Sequence, residues 1–321
     1  MGSASIRYAP SVDRVLDACK GHDRQAVRAL TFDRDGALIG VLAHDPVLWH
    51  EPSLGRIAAL CELEADASFD PTATLFSRDC AALVAGHPGQ LRAYDVRSGA
   101  LLWERDCPWW EVFDFDADSI VCVEYQPRVH GAVVVIELRS GVERSRVEIA
   151  PRMFTPTATV EREAVRVFSV SSVLADRRSG ALARSVRAET PAFSMDPCAH
   201  SRLWPQKIAG GELFLAVTHR GEIVQAIQST TGGRSWLPKR PTTAHALLAE
   251  RTVIVGARDT IPATLLLLNA NTGSELVSLL LPTEQAETIV CAAVGPGETS
   301  VALGTSLGRA IVVSLVLDAA R

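Results

Sequence analysis

Five short segments ending in glycine recur through this chain: Val96-Arg97-Ser98-Gly99, Leu138-Arg139-Ser140-Gly141, Arg177-Arg178-Ser179-Gly180, Ser229-Thr230-Thr231-Gly232 and Ala270-Asn271-Thr272-Gly273. Successive glycines lie 42, 39, 52 and 41 residues apart. Each segment follows one apolar run and precedes another. A tight turn that returns at this period, between runs of strand character, requires a repeat whose unit is a small antiparallel sheet.

Sheets of that size repeated around a ring make a β-propeller. Four strands, A to D, can be read in each repeat. The first uses Arg28–Phe32, Ala37–Ala43, Val47–His50 and Arg56–Leu63; the third includes Ser119–Tyr125, Ala132–Leu138 and Val142–Ile149. The sixth, with Thr252–Gly256, Thr264–Leu268 and Glu275–Leu281, is rich in leucine and β-branched residues, as half-buried strands are. After Pro282 three strands remain, Thr288–Val294, Thr299–Leu303 and Arg309–Leu315, and one strand-like piece, Val12–Ala18, is unused at the other end. Pairing it with the last repeat removes two open sheet edges. The expectation is therefore an all-β chain. It is a seven-bladed propeller of four-stranded antiparallel blades over residues 1–321, closed by the N-terminal strand in the C-terminal blade.

The net charge of −5, with no run of five like charges, recommends neither nucleic acid nor an anionic membrane as partner. No apolar stretch is long enough to span a bilayer. Seven dispersed cysteines without a C-x-x-C pair read as reduced thiols, and the first ten residues lack a signal-peptide core. Twenty-nine arginines stand against three lysines, Lys20, Lys207 and Lys239, which reads as the codon bias of a GC-rich, bacterial genome. A cytoplasmic protein is expected.

Gly21-His22, Val27-x-x-Leu30-x-Phe32-x-x-Asp35-Gly36, then Asp45 and Trp49, resemble a WD-repeat. That resemblance implies a hydrogen-bonded network to which His22, Asp45 and Trp49 would contribute, although strand B offers no Ser or Thr for it. Tyr94-Asp95-x-x-x-Gly99-x-x-x-Trp103 also resembles the repeats of quinoprotein-type propellers, which implies a Trp packed between blades.

Histidines recur near the B–C turns, at His44, His87, His130 and His219. Their ordinary role there is to hold turns; the functional alternative is a pH-sensitive binding face. Trp109 in the loop entering the third blade, and Phe193 and Met195 in the irregular stretch Glu189–Ser201, are the candidate contact residues, because aromatic anchors dominate binding hot spots. Ser229-x-Thr231-x-Gly233-x-Ser235-Trp236 resembles the Asp-box of sialidase-like propellers, with Thr231 in place of the Asp; that box is a folding turn. Asp114, Asp116 and Asp118 lack the following glycine of a calcium loop. No nucleophile elbow, His-Glu-x-x-His or phosphate-binding glycine loop occurs. The expected function is a protein-interaction scaffold with protein partners, no cofactor, no metal and no identifiable small-molecule ligand. The alternative is an enzyme (a hydrolase, a lyase or a quinoprotein-like oxidoreductase) working in the axial funnel of the ring.

Overall fold

A computed structural model describes residues 7–19, 24–43, 47–51, 55–59, 75–77, 79–87, 90–106, 110–115, 118–126, 130–149, 157–161, 164–168, 172–176, 182–186, 201–208, 211–218, 222–228 and 235–318. Among these residues the strands form seven four-stranded sheets. Six follow chain order: β2(Val27–Phe32), β3(Leu38–Leu42), β4(Val47–His50), β5(Gly55–Ala59); β6(Leu75–Phe76), β7(Ala82–His87), β8(Gln90–Asp95), β9(Leu101–Asp106); β10(Trp110–Phe115), β11(Ser119–Gln126), β12(His130–Glu137), β13(Glu143–Ile149); β14(Thr157–Glu161), β15(Ala164–Phe168), β16(Ser172–Asp176), β17(Leu182–Val186); β18(Ser201–Ile208), β19(Gly211–Thr218), β20(Ile223–Gln228), β21(Ser235–Trp236); and β22(Thr243–Leu248), β23(Val253–Arg258), β24(Thr264–Asn269), β25(Glu275–Leu280).

The remaining sheet takes its strands from both ends of the chain. β1(Arg7–Asp17) pairs antiparallel with β28(Arg309–Asp318), followed by β27(Ser300–Thr305) and β26(Ile289–Val294). The N-terminal segment is thus the fourth strand of the C-terminal sheet, and local helix propensity at Asp13–Cys19 is overridden by the pairing.

The chain divides into two compact units, one of Met1–Leu42, Trp49–Gly55 and Gln206–Arg321, the other of Ala43–Leu48 and Arg56–Pro205. Burial within the sheets follows strand position. Strand B is covered on both faces, as along Leu38–Leu42 and Val253–Ala257, whereas strand D alternates or is exposed, as in β25. A sheet packed on both faces needs the near-continuous apolar runs seen in strands B and C. In the first unit Leu248, Val255, Leu265, Leu267, Val301, Leu303, Ile311 and Val313 form one core; in the second, Val84, Leu91, Trp103, Ile120, Val134 and Ile136 form another.

Among the described residues, the segments ending in Gly99, Gly141 and Gly273 are C–D turns. In β8–β9 the Asp95 N–H donates to the Ala100 carbonyl (2.9 Å) and the Gly99 N–H to the Asp95 carbonyl (2.8 Å). Glu137, Val142 and Gly141 repeat the pattern in β12–β13, as do Asn269, Ser274 and Gly273 in β24–β25. All three glycines have φ near +70°, the left-handed region that closes such a hairpin with a bulge. That requirement is why the period is visible in the sequence.

Two tryptophans in strand D carry each sheet onto the next. Trp103 Nε1 donates to the Leu138 carbonyl (2.8 Å), and Trp236 Nε1 to the Ala270 carbonyl (2.9 Å). Each ring lies on the turn glycine three residues further on, Gly141 or Gly273, where a Cβ would collide with it. Trp103 is therefore packed between sheets, as expected, and Trp236 does the same in the other unit.

In β1, Arg14 pairs with Val312 as Trp103 pairs with Ala93. It performs the same task with charge: its Nε and Nη2 donate to the two oxygens of Glu51 (2.5 and 2.9 Å). Glu51 also accepts the Leu38 N–H (2.9 Å). Despite the burial that opposes it, this set of bonds holds the Glu51 carboxyl below its usual range.

Candidate interaction face

In each sheet strands A and C begin, and strands B and D end, at one end, opposite the end where strand C stops and strand D starts. In the first unit this end is built around Glu287, whose side chain is buried in the connection before β26. Arg309, the first residue of β28, donates to it from Nε (2.9 Å) and Nη2, and Nη2 also reaches the Pro282 carbonyl (2.9 Å). The Glu284 N–H donates to the same carboxylate (2.8 Å). Burial pushes the Glu287 carboxyl up, but Arg309, Thr305 and the Glu284 N–H outweigh it and hold it below the ordinary value. A D–A connection is thus fastened to a B–C turn by one buried ion pair.

The same end carries further ties. Thr305 Oγ1 accepts the Arg309 N–H (3.1 Å) inside its turn. Gly308, at φ +81°, lies where a Cβ would strike Cys19 and the Gln25 carbonyl, so only glycine lets the two connections cross. Arg24 bonds Glu284 at the surface (2.6 Å). Burial raises the Cys19 thiol and pushes Cys291 up to about 12, so neither is a reactive thiolate at neutral pH.

Strand A in four sheets meets strand B through a bulge, and the residues skipped by the register are Arg28, Phe113, His245 and Val290. In the first unit β22 and β2 both lie against β26, which sets Arg28, His245 and Val290 on neighbouring strands. His245 Nε2 shares a hydrogen bond with Thr243 Oγ1 (2.7 Å), and burial pushes its pKa down to about 4, so the imidazole is neutral at pH 7. Sequence reasoning missed these bulges. Their signal is a slip in the apolar alternation, as in β2, where Ala29 and Leu30 are buried in succession.

Ile261 is 74% exposed at the B–C turn of β23–β24, and the connection between β21 and β22 carries exposed Lys239 and Arg240. Those two cations form no ion pair among the described residues. In the same turn as Ile261, burial first and Glu222 second raise the pKa of Asp259.

Of the residues singled out in the sequence, Trp109, Phe193, Met195, His44, His219, His22 and Asp45 lie outside the described residues. His87 is the last residue of β7, paired with Gln90, and His130 the first of β12, paired with Gln126. Both flank the B–C turn as paired strand residues, because the strands run further into the turn than the apolar pattern indicated. Trp49 is buried on Gly40 of β3, and its indole nitrogen has no hydrogen-bond partner among the described residues. The ring fills the space that a side chain at position 40 of strand B would need. Asp118 is engaged by Arg144 (3.0 Å) and Ser119 (3.0 Å). No group of His, Cys, Asp and Glu among the described residues is placed to hold a metal ion, and no helix is long and apolar enough to cross a membrane.

No protein-family profile matches the chain, and no curated protein matches its sequence. Solved structures do match in shape. A chain of "Crystal Structure of Mitotic Checkpoint Complex" is similar with a TM-score of 0.66 at 13% identity, over 99% of this chain and 95% of that one. "Crystal structure of Chaetomium thermophilum Raptor" is similar with a TM-score of 0.66 at 11% identity, over 97% of this chain and 30% of that one. The likeness, with the four-stranded antiparallel sheets, gives this chain an all-β fold of the kind found in those structures.

Proposed function

We propose that the seven sheets are the blades of one closed propeller spanning residues 1–321, and that it is a protein-interaction scaffold, a subunit of a bacterial cytosolic complex. The partner face is the end carrying the D–A and B–C loops. The observation that carries this reading is the buried Glu287–Arg309 pair: it fixes the loops of that end before any partner arrives. A surface ordered in advance loses little entropy on binding. The contacts assigned to it are Trp109, Phe193 and Met195, surrounded by His44, His87, His130 and His219, together with exposed Ile261 and the unpaired Lys239 and Arg240. The free state of the described cysteines and the arginine-rich composition support the compartment and the source.

The test begins with affinity capture from the native host, followed by reconstitution of the captured protein with the purified chain. Isothermal titration would compare wild type, Trp109→Ala/Phe193→Ala and Ile261→Asp/Arg240→Glu. The expected result is a loss of affinity of about tenfold or more in either variant, which corresponds to about 1.4 kcal/mol. Equal binding by all three proteins, or no captured protein, would overturn the assignment of this face.

A further inference from the structure

Two sheets of the second unit, β6–β9 and β10–β13, end in nearly the same turn. In each, the acid four residues before the glycine is used inside the turn. Asp95 accepts the Ser98 N–H (2.8 Å) and hydroxyl (2.6 Å); Glu137 accepts the Ser140 hydroxyl (2.6 Å) and Arg144 (2.8 Å). The glycine supplies the left-handed residue. Folding of the turn leaves other side chains unused: the arginine before the serine, and apolar residues after the glycine, Leu101 two positions on in one turn and Val142 directly after it in the other.

These unused positions carry a consistent chemistry. Leu101 is 49% and Val142 58% exposed, and Leu102, bulged out of the β8–β9 register, is exposed as well. Arg97 and Arg139 are exposed, and their guanidinium groups form no ion pair or hydrogen bond among the described residues. Their neighbours behave differently: Arg92 pairs with Glu104, Arg105 and Arg146 with Glu143, and Arg144 with Asp118 and Glu137. Acids are abundant here, yet neither of these two guanidinium groups is hydrogen-bonded to one among the described residues.

The two turns touch. Trp103 bonds the Leu138 carbonyl, Arg105 Nη1 donates to the Gly141 carbonyl (3.1 Å), and Arg139 is close enough to contribute to the lowered pKa of Asp95. Arg97, Leu101 and Leu102 at the C–D end of β8–β9, and Arg139 and Val142 at the C–D end of β12–β13, make up the rim of these two touching turns. The sequence supplies a third copy, Arg178-Ser179-Gly180-Ala181-Leu182, identical to Arg97–Leu101. The first unit provides the control. Its Asn269–Ser274 turn has the same backbone bonds with Asn271 in place of the arginine and Ser274-Glu275 after the glycine. The turn needs neither the arginine nor the apolar residue.

We propose that this rim docks an acidic, apolar peptide segment of a partner protein, its carboxylates on Arg97 and Arg139 and its apolar side chains on Leu101, Leu102 and Val142. Forked guanidinium–carboxylate bonds orient such a segment. Exposed ion pairs contribute little by themselves, so apolar contact carries most of the affinity. A nucleic-acid backbone fits less well, because Asp95, Asp118, Glu137 and Glu143 interrupt any continuous positive field. The surface is separate from the loop face, so each can fail without the other.

The experiment pans the full chain against a displayed library of random peptides. Enriched sequences are synthesised with a fluorescein label and titrated by anisotropy against wild type, Arg97→Gln/Arg139→Gln and Leu101→Ser/Val142→Ser, with poly(U) as the nucleic-acid probe. The expected result is enrichment in Asp or Glu beside Leu, Ile or Phe, with binding weakened about tenfold or more by either double variant. Melting temperatures close to wild type would show that both variants fold. No enrichment, neutral or basic sequences, binding indifferent to both variants, or arginine-dependent binding of poly(U) in place of peptide would each overturn the proposal.

Discussion

Replacing Trp103 tests the packing between sheets most directly. The ring is 8% exposed, lies on Gly141, and donates from Nε1 to the Leu138 carbonyl at 2.8 Å. Trp103→Ala removes a large buried side chain and should cost about 3–5 kcal/mol, most of it lost packing and the cavity left behind. Trp103→Phe keeps much of the apolar contact but strands the carbonyl, so about 1–2 kcal/mol is expected. Equilibrium urea unfolding followed by far-UV circular dichroism gives both values, with unchanged m-values as the check that the comparison is sound.

Gly141 makes the experiment a cycle. Its φ is +70°, and a Cβ there would sit 2.7 Å from Trp103 Cγ. Gly141→Ala in the wild-type background should therefore combine about 1–2 kcal/mol of left-handed strain with about 1–3 kcal/mol of overpacking. With Trp103 already Ala, only the backbone strain remains. The two losses must then fail to add, by about 1–3 kcal/mol, because one mutation removes the obstacle that the other meets. Additivity to within about 0.5 kcal/mol would refute the contact, and so would a loss below about 0.5 kcal/mol for Trp103→Ala alone.

Glu287→Gln should destabilise by about 3 kcal/mol at neutral pH, since it leaves Arg309 facing a neutral amide in a buried site. The carboxyl's folded pKa is below its unfolded value of 4.5, so its stabilisation is present above pH 4.5 and lost as pH falls through the folded pKa. The variant's urea midpoint should accordingly fall less steeply on acidification than that of wild type; parallel curves would sink the assignment. Gly40→Thr, which would give strand B a hydroxyl, should destabilise by about 1–3 kcal/mol because its Cβ meets the Trp49 ring. A higher melting temperature would show that the ring can move to accept it. His245 stays neutral until about pH 4 while the unfolded imidazole titrates near 6.5, so stability should decline as pH drops between those values. His245→Gln should remove that contribution, and an NMR titration showing its midpoint near 6.5 in the folded chain would contradict the burial. Deleting residues 1–17 uncovers the edge of β28 and should yield an unfolded or self-associating chain by size-exclusion chromatography; a monomer with unchanged melting would refute the role of β1.

What the sequence disclosed depends on how tightly physics restricts each position. Turn glycines were legible because Gly99, Gly141 and Gly273 occupy a conformation that other residues adopt at a cost. Strand B was legible because burial on both faces leaves little but apolar residues. The N-terminal strand of the last sheet could be inferred by subtraction, from three strands after Pro282 and one left over. Other features have no local signature. Glu287 and Arg309 are ordinary charged residues until folding sets them together, and Arg14 gives no sign that it stands where Trp103 and Trp236 stand in other sheets. His87 and His130 were read as turn residues because the pattern of apolar side chains ends before the backbone pairing does. Trp236 was absorbed into a degenerate turn motif, although its indole is the more informative part of that segment.

The same restriction separates what the fold requires from what is available for binding. A C–D turn specifies an acceptor at its first residue and a glycine four positions later, and the hydroxyl between them reinforces both. Arg97, Arg139, Leu101 and Val142 satisfy none of these demands, whereas Asn271 and Ser274 show that polar residues serve the same turn equally well. Exposed Leu101 and Val142, in turns that also carry Arg97 and Arg139, contribute nothing evident to folding and add to the exposed apolar surface. At the opposite end the division reverses: Glu287, Arg309, Thr305 and Gly308 are committed to geometry, while Ile261, Lys239 and Arg240 are not. Each end of the repeat thus has a rigid frame and a small uncommitted set of side chains. Substitutions in the frame should be read in melting curves, and substitutions in the uncommitted set in binding isotherms.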